Sequence, residues 1–282
     1  MRWFTLRLVV ALALLCTVWQ SSLQPALAES PQVLAHAHAH NDYHHPRPLL
    51  DALDHGFASI EADVFLVNGE LLVGHDVWEL RPQRTLKSLY LEPLRQRVSE
   101  NNGAVYGDGS AVTLLVDIKS DGPATYAVLA KQLAEFADML TRVVDGQPHR
   151  GAIQIVISGN RPLDQITAEP TRYAAIDGRL LDLDGKQSAH LIPLVSENWR
   201  SHFSWDGKGK MPAADREKLR DLAARCHAQN RRLRFWATPE TAACWSELLA
   251  AHVDLIGTDN LDALQKFLTE QPAGDRSDSS SE

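Results

Sequence analysis

Cysteine is scarce, with three in 282 residues. One of them, Cys16, falls in an N-terminal apolar run, so at most one pair, Cys226 with Cys244, is open to the rest of the chain. A disulfide-stapled small domain is therefore excluded, and the two thiols are read either as a pair on helices flanking one strand or as two small buried apolar residues. Basic charge is also in deficit. There are 28 Lys and Arg against 36 Asp and Glu, a net charge of -8. That balance argues against a nucleic-acid backbone or an anionic membrane surface as principal partner, because both are bound through surplus cations. A small anionic substrate stays compatible with it, since a bound metal and a few local cations reverse the sign of a pocket. No internal repeat and no interior domain linker interrupts the chain.

Long apolar runs are lacking too, apart from residues 8–19. This run follows Arg2 and Arg7 and precedes Ala26-Leu27-Ala28, the order of a secretory signal peptide cleaved after Ala28. It is short of the roughly 20 apolar residues that span a bilayer. Leu15 before Cys16 is not the small residue a lipid-attachment site wants. The expectation is an exported protein, periplasmic or secreted, with no stable membrane span after cleavage. Its predicted organisation is a signal peptide over 1–28, one domain over 29–271 and a disordered Ser-rich acidic tail over 272–282.

Short β-rich runs alternate with helical patterns through that domain. Strands are expected at 33–40, 59–67, 113–119, 153–158, 173–177, 192–197, 234–237 and 254–258. Tyr126, Leu129, Leu133, Phe136, Leu140 and Val143 share one helical face, and further helices are expected over 213–229 and 240–251. Eight strands alternating with helices imply an α/β fold, a TIM-type (β/α)8 barrel, with an open doubly wound sheet as the rival because the helix between strands five and six is poorly defined. Asn68-Gly69 between two apolar runs predicts a hairpin that returns the chain towards the end of the second strand and carries His75 there.

Seven of the twelve histidines lie between His36 and His75, in the stretch that holds Glu61 and Asp63. Residues two apart on a strand share a face, so both acids can point to the barrel axis, where a hard cation such as Mg2+ or Ca2+ would relieve their repulsion. A solvent-facing acid beside one paired with Lys or Arg is the plainer reading of that doublet. Asp117 and Lys119 interrupt the buried-type run 114–118 with equal parity, offering a third carboxylate and a cation for a substrate oxygen, or else a salt bridge at the barrel mouth. His40 and His75 are placed to serve as a proton-transfer pair, since imidazole titrates near operating pH.

These residues, in this order, resemble the phospholipase-C-like phosphodiesterases, which include glycerophosphodiester phosphodiesterases and the spider-venom-type phospholipases D. His40-Asn41, Glu61-Ala62-Asp63, Gly74-His75-Asp76 and Asp117-Ile118-Lys119 carry the likeness. The run His38-Ala39-His40-Asn41-Asp42-Tyr43 is most similar to an uncharacterised bacterial and fungal branch related to altered inheritance of mitochondria proteins. The resemblance implies one divalent cation on Glu61, Asp63 and Asp117, an acid and base in His40 and His75, phosphate oxygens on Lys119 and Asn41, and a pocket-shaping Trp236. It also implies a small phosphodiester or phospholipid-derived substrate, cleaved through a cyclic phosphate where a neighbouring hydroxyl attacks and directly where water does. Asn41 and Asp117 depart from the Arg and Glu usual in glycerophosphodiesterases, so the alcohol stays open. Glu197, Asp259 and Asn260 fall near strand ends without an assigned role. Two rivals are carried forward: a zinc-dependent amidohydrolase-like barrel using His36-x-His38-x-His40, and an exported binding protein without catalysis.

Overall fold

The computed structural model describes residues 31–270; the expected signal peptide with Cys16 and the expected tail lie outside them. Among the described residues twelve strands occur in chain order: β1 (Leu34–Ala39), β2 (Phe57–Val67), β3 (Glu70–Val73), β4 (Val112–Ile118), β5 (Arg142–Val144), β6 (Gln147–His149), β7 (Ile153–Gly159), β8 (Thr171–Arg172), β9 (Ala174–Gly178), β10 (Leu194–Asn198), β11 (Arg232–Trp236) and β12 (Leu255–Thr258). Eight helices accompany them: α1 (Leu50–Asp54), α2 (Glu92–Glu100), α3 (Gly122–Ala134), α4 (Leu163–Ala168), α5 (Trp199–His202), α6 (Ala213–His227), α7 (Ala242–Ala250) and α8 (Leu261–Glu270). The sheet runs β1-β12-β11-β10-β9-β7-β4-β2, and β1 also pairs with β2. That last pairing closes eight parallel strands into a barrel and eliminates the open sheet.

Residues of one parity stack in layers inside the barrel. Leu115, Val156, Ala175, Leu194 and Leu255 form a separate apolar cluster. Two residues further along four of these strands stand Asp117, Ser158, Asp177 and Ser196, all polar. The lumen thus has an apolar middle layer and a polar one towards the carboxyl ends of the strands, where the barrel opens; one pleat the other way Arg232 bonds to Thr113 and Gln154. A larger apolar cluster lies between the barrel and its helices.

β2 is 11 residues long and overruns the barrel to pair with β3. The turn between them uses Asn68 and Gly69 at φ 50° and 86°, the left-handed values a two-residue hairpin demands. His75 follows immediately, as expected.

Three expectations need correction. The helix predicted to continue to Val143 ends at Ala134. Phe136, Leu140 and Val143 are buried as foreseen, but Ile153 N–H donates to Met139 and Thr141 N–H to Ile153 at 2.7 Å, which draws the chain off the helix and alongside β7. Val143 then enters β5, whose hairpin turns at Asp145-Gly146, the same kind of signal as Asn68-Gly69. Between β9 and β10 there is no α-helix among the described residues, only a short 3-10 turn over Leu180–Asp184, anchored by Arg231 on the carbonyls of Asp182 and Gln187. Finally, Cys226 and Cys244 are both free and buried, and burial pushes each thiol up to about 12, so the pair reading fails and the apolar one stands.

No helix among the described residues is long and apolar enough to cross a membrane.

Candidate active site

The parallel register sets Asp63 of β2 directly opposite Asp117 of β4, and Asp117 opposite Ser158 of β7. Glu61 lies one pleat below Asp63. Ligand oxygens of Glu61, Asp63 and Asp117 all fall within 4.8 Å of one another, so the three acids converge as their parity foretold.

Each acid has a different counterweight. Glu61 is 4 % exposed and accepts from Arg234 at 2.6 Å and from His38 Nε2 at 2.9 Å. Burial acts to raise its pKa, but the Arg234 guanidinium and then His38 reverse that and hold the carboxyl below its usual range. Asp63 is fully buried, and its Oδ2 gathers the Tyr43 hydroxyl at 2.8 Å, His75 Nδ1 at 3.0 Å and Lys119 Nζ at 3.1 Å. Asp117 has Lys119 at 3.3 Å. Burial, aided by the Glu61 charge, raises Asp63, and burial pushes Asp117 up to about 6.

The test of whether a cation fits is the fate of the remaining oxygens. Asp63 Oδ1 and Asp117 Oδ1 are both buried with no hydrogen-bond partner. Buried acceptors are nearly always satisfied, and three carboxylates with oxygens within 4.8 Å of one another have the donor chemistry of a hard divalent ion. The residues present fit the group. Lys119 stands between the two carboxylates, the salt bridge its spacing allowed, while also lining the cavity.

The two histidines are oriented alike. His40 Nδ1 lies 2.8 Å from Asp259 Oδ1, and His75 Nδ1 lies 3.0 Å from Asp63 Oδ2. A carboxylate can only accept, so in its shortest contact each imidazole donates from Nδ1 and keeps Nε2 for proton exchange. The Asn41 amide, 3.0 Å from His40 Nδ1, and the Tyr43 hydroxyl, 3.3 Å from His75 Nδ1, then direct their hydrogens to Asp259 and Asp63. Burial would lower His40, but the bond to Asp259 prevails and raises it. The side chains of His40 and His75 are 34 % and 50 % exposed, and both line one cavity of about 420 Å3 with Glu61, Asp117, Lys119 and Trp236. Asn41 stands apart from that lining. It adopts φ 47°, its amide donates towards Asp259 at 3.4 Å, and its oxygen accepts from Tyr43 at 2.7 Å. Asn260 precedes α8 and its Oδ1 accepts from the Ala263 N–H, and Glu197 holds Leu180 N–H and His202.

The histidine triplet does not assemble a zinc site. His36 is exposed and bonded to the Asp254 carbonyl, while His38 has both nitrogens engaged, by Ser59 and Glu61. Burial, and then Arg234, bring His38 down to about 4, so it stays neutral and structural.

Several participants escaped the sequence reading. Arg234, 3 % exposed, is two residues before Trp236 on the same face, and a base in a buried-type strand was the available signal. Gly159 ends β7 at φ 65°, and a Cβ there would sit 2.1 Å from Asp117 Oδ1. Only glycine lets that backbone approach the carboxylate. Tyr43 reads as an ordinary aromatic until its hydroxyl is seen between Asn41 and Asp63.

A closed barrel with acids and histidines gathered where its strands end has the architecture of the barrel enzymes. The chain belongs to the AIM6-like phosphodiesterase domain family, whose model matches residues 30–176. Altered inheritance of mitochondria protein 6 of Eremothecium gossypii is 30% identical over 292 residues, covering 89% of this chain and 74% of that protein. The homolog from Arthroderma benhamiae is 28% identical, with 82% of each chain covered. Among solved structures, a glycerophosphodiester phosphodiesterase from Parabacteroides distasonis aligns with TM-score 0.48 and 14% identity, over 86% of this chain and 98% of that one.

Proposed function

We propose that the protein is an exported phosphodiesterase that depends on one divalent cation, Mg2+ or Ca2+, and cleaves a small or phospholipid-derived phosphodiester with His40 and His75 as acid and base. The observation that carries this reading is the convergence of Glu61, Asp63 and Asp117, the two aspartates each with an unpartnered oxygen, beside a cavity lined by two imidazoles whose Nε2 atoms are left free. Held by Glu61, Asp63 and Asp117, the cation would supply charge for a non-bridging phosphate oxygen as it becomes more negative. One imidazole takes the proton from the attacking hydroxyl at Nε2. The other gives its Nε2 proton to the leaving oxygen, so no free alkoxide forms. Lys119 adds a fixed positive charge beside the phosphate. Where the substrate has a neighbouring hydroxyl, that hydroxyl is the nucleophile and the product is a cyclic phosphate; otherwise water attacks. Export rests on the leader-like order of residues 1–28.

A panel of phosphodiesters followed by phosphorus NMR, with and without chelator, tests the reading. Turnover should vanish with chelator and return with magnesium or calcium. His75→Ala should lower kcat on the order of 100-fold or more while cation binding persists. Chelator-insensitive turnover, or tightly held zinc in the active protein, would overturn the assignment.

A further inference from the structure

Across the cavity from the histidines the wall is cationic. Asp177, fully buried on β9, faces the lumen beside Ser158 and accepts from Ser158 at 2.8 Å and Ser196 at 2.5 Å. Two guanidiniums converge on the same residue. Arg179 gives Nη1 to Asp177 Oδ2 at 3.1 Å and to the Gly178 carbonyl at 2.8 Å, and Arg161 gives Nη1 to the Asp177 carbonyl. Only Arg179 is ion-paired, by a carboxylate already shared with two serines; Arg161 is held by a neutral carbonyl. Asp182 adds negative charge nearby but pairs with neither guanidinium, its carboxylate taking the backbone N–H of Arg179 at 2.6 Å.

Both guanidiniums are accessible. Arg179 lines the catalytic cavity, and Arg161 lines a second cavity that shares Gly159 and Asn160 with it. Arg161 Nε is buried and has no partner, which is costly for a cation's donor. Burial, and next the Arg179 charge, depress its pKa, so an added anion would relieve it. Arg179 also lies over the Trp236 ring, 5.0 Å from its centroid. That face of the indole is taken, which denies it to a quaternary ammonium group. With adjacent strands about 4.8 Å apart, Asp177 stands two strands from Asp117, roughly 10 Å away.

We infer that Arg161 and Arg179 form a subsite for a second anionic group, a carboxylate or phosphate carried by the alcohol of the diester, and that the cavity selects against choline-like cationic alcohols. This rests on the phosphodiesterase reading above and names the substrate class for that site.

Three p-nitrophenyl phosphodiesters with the same leaving group test it, their second arm being pentyl, 5-carboxypentyl or choline. For the native chain kcat/KM should be about tenfold or more higher with the carboxylate arm than with pentyl, and lowest with choline, as one charge-assisted contact implies. In the double variant R161Q/R179Q the carboxylate-to-pentyl ratio should fall to near one. R179K, which keeps the charge, should retain part of it. Because the readout is a ratio within one preparation, lower overall activity does not obscure it. Calorimetry with pentyl phosphate and 5-carboxypentyl phosphate reads the same preference without turnover. Tighter binding of the carboxylated monoester with no ester cleaved would support this subsite and sink the phosphodiesterase reading. Cleavage with equal kcat/KM on the pentyl and carboxylate arms would sink this inference alone.

Discussion

The barrel mouth has two arcs of unlike chemistry. β1, β2 and β4, with the hairpin after β2, bring His40, Glu61, Asp63, His75 and Asp117, whereas β9 and β11 bring Asp177, Trp236, Arg234 and, just past β9, Arg179. The first arc concentrates negative charge that burial makes costly; the second supplies guanidiniums that are always charged. The family match ends at residue 176, one residue short of Asp177. The difference teaches that Glu61 takes its balancing charge from Arg234 across the barrel, a link made only when the barrel closes, whereas Asp63 and Asp117 have Lys119 within their own arc.

Breaking that link at Arg234 should have the largest effect. Arg234→Met removes the 2.6 Å partner of Glu61 and strands a carboxylate in the lumen. A loss of about 3 kcal/mol or more is expected, the usual cost of removing one member of a buried pair. Urea denaturation measures it, and saturating magnesium or calcium should return part of the loss by binding the folded form. Equal stability of variant and native chain would mean that the second arc does not balance the first.

A smaller effect is expected at Gly159, where the arcs meet. Gly159→Ala places a methyl group 2.1 Å from Asp117 Oδ1 and forces a non-glycine residue to φ 65°. The left-handed conformation alone costs about 1–2 kcal/mol, and the displaced carboxylate should weaken cation binding about tenfold, read by calorimetry. Because burial pushes Asp117 up to about 6, protons compete with the cation below that pH, so the native affinity should itself fall as pH drops through 6.

What was legible in the sequence follows the same division. Strand parity is local, so Glu61 and Asp63 were placed by counting, and Asp117 by the oddity of an acid in an apolar run. Asn68-Gly69 delivered His75 because a two-residue turn leaves the chain little choice. The arginines were harder to place: a base in a buried-type strand marks Arg234, but Arg234 and Arg179 take their roles from Glu61 and Asp177, and Arg234 lies 173 residues from its partner. Gly159 was illegible because its reason is a neighbour's carboxylate, not its own turn. The helix running on to Val143 failed because tertiary pairing with β7 outweighed an apolar face that was real but not helical throughout.

The smallest expected effect sharpens the comparison at its other seam, between β1 and the loop after β12. Asp259 is 55 % exposed at its side chain, yet it fixes His40 through Nδ1 at 2.8 Å. An imidazole that gains a carboxylate holds its proton more tightly, and here that gain outweighs burial and raises His40 above its ordinary value. Asp259→Asn removes the charge, so the His40 pKa should fall and the limb of the pH-rate profile it governs should move to lower pH. That direction is the same whether His40 serves as acid or as base. The amide also ceases to enforce the Nδ1–H tautomer, and kcat near neutrality should drop about tenfold, comparable to losing other partners that orient a reactive imidazole. Folding stability should change little, since the pair is solvent-exposed. A lower kcat with an unmoved limb would show that Asp259 positions His40 without tuning it, whereas an unchanged profile and rate would leave His40 held by Asn41 and the β1 backbone alone.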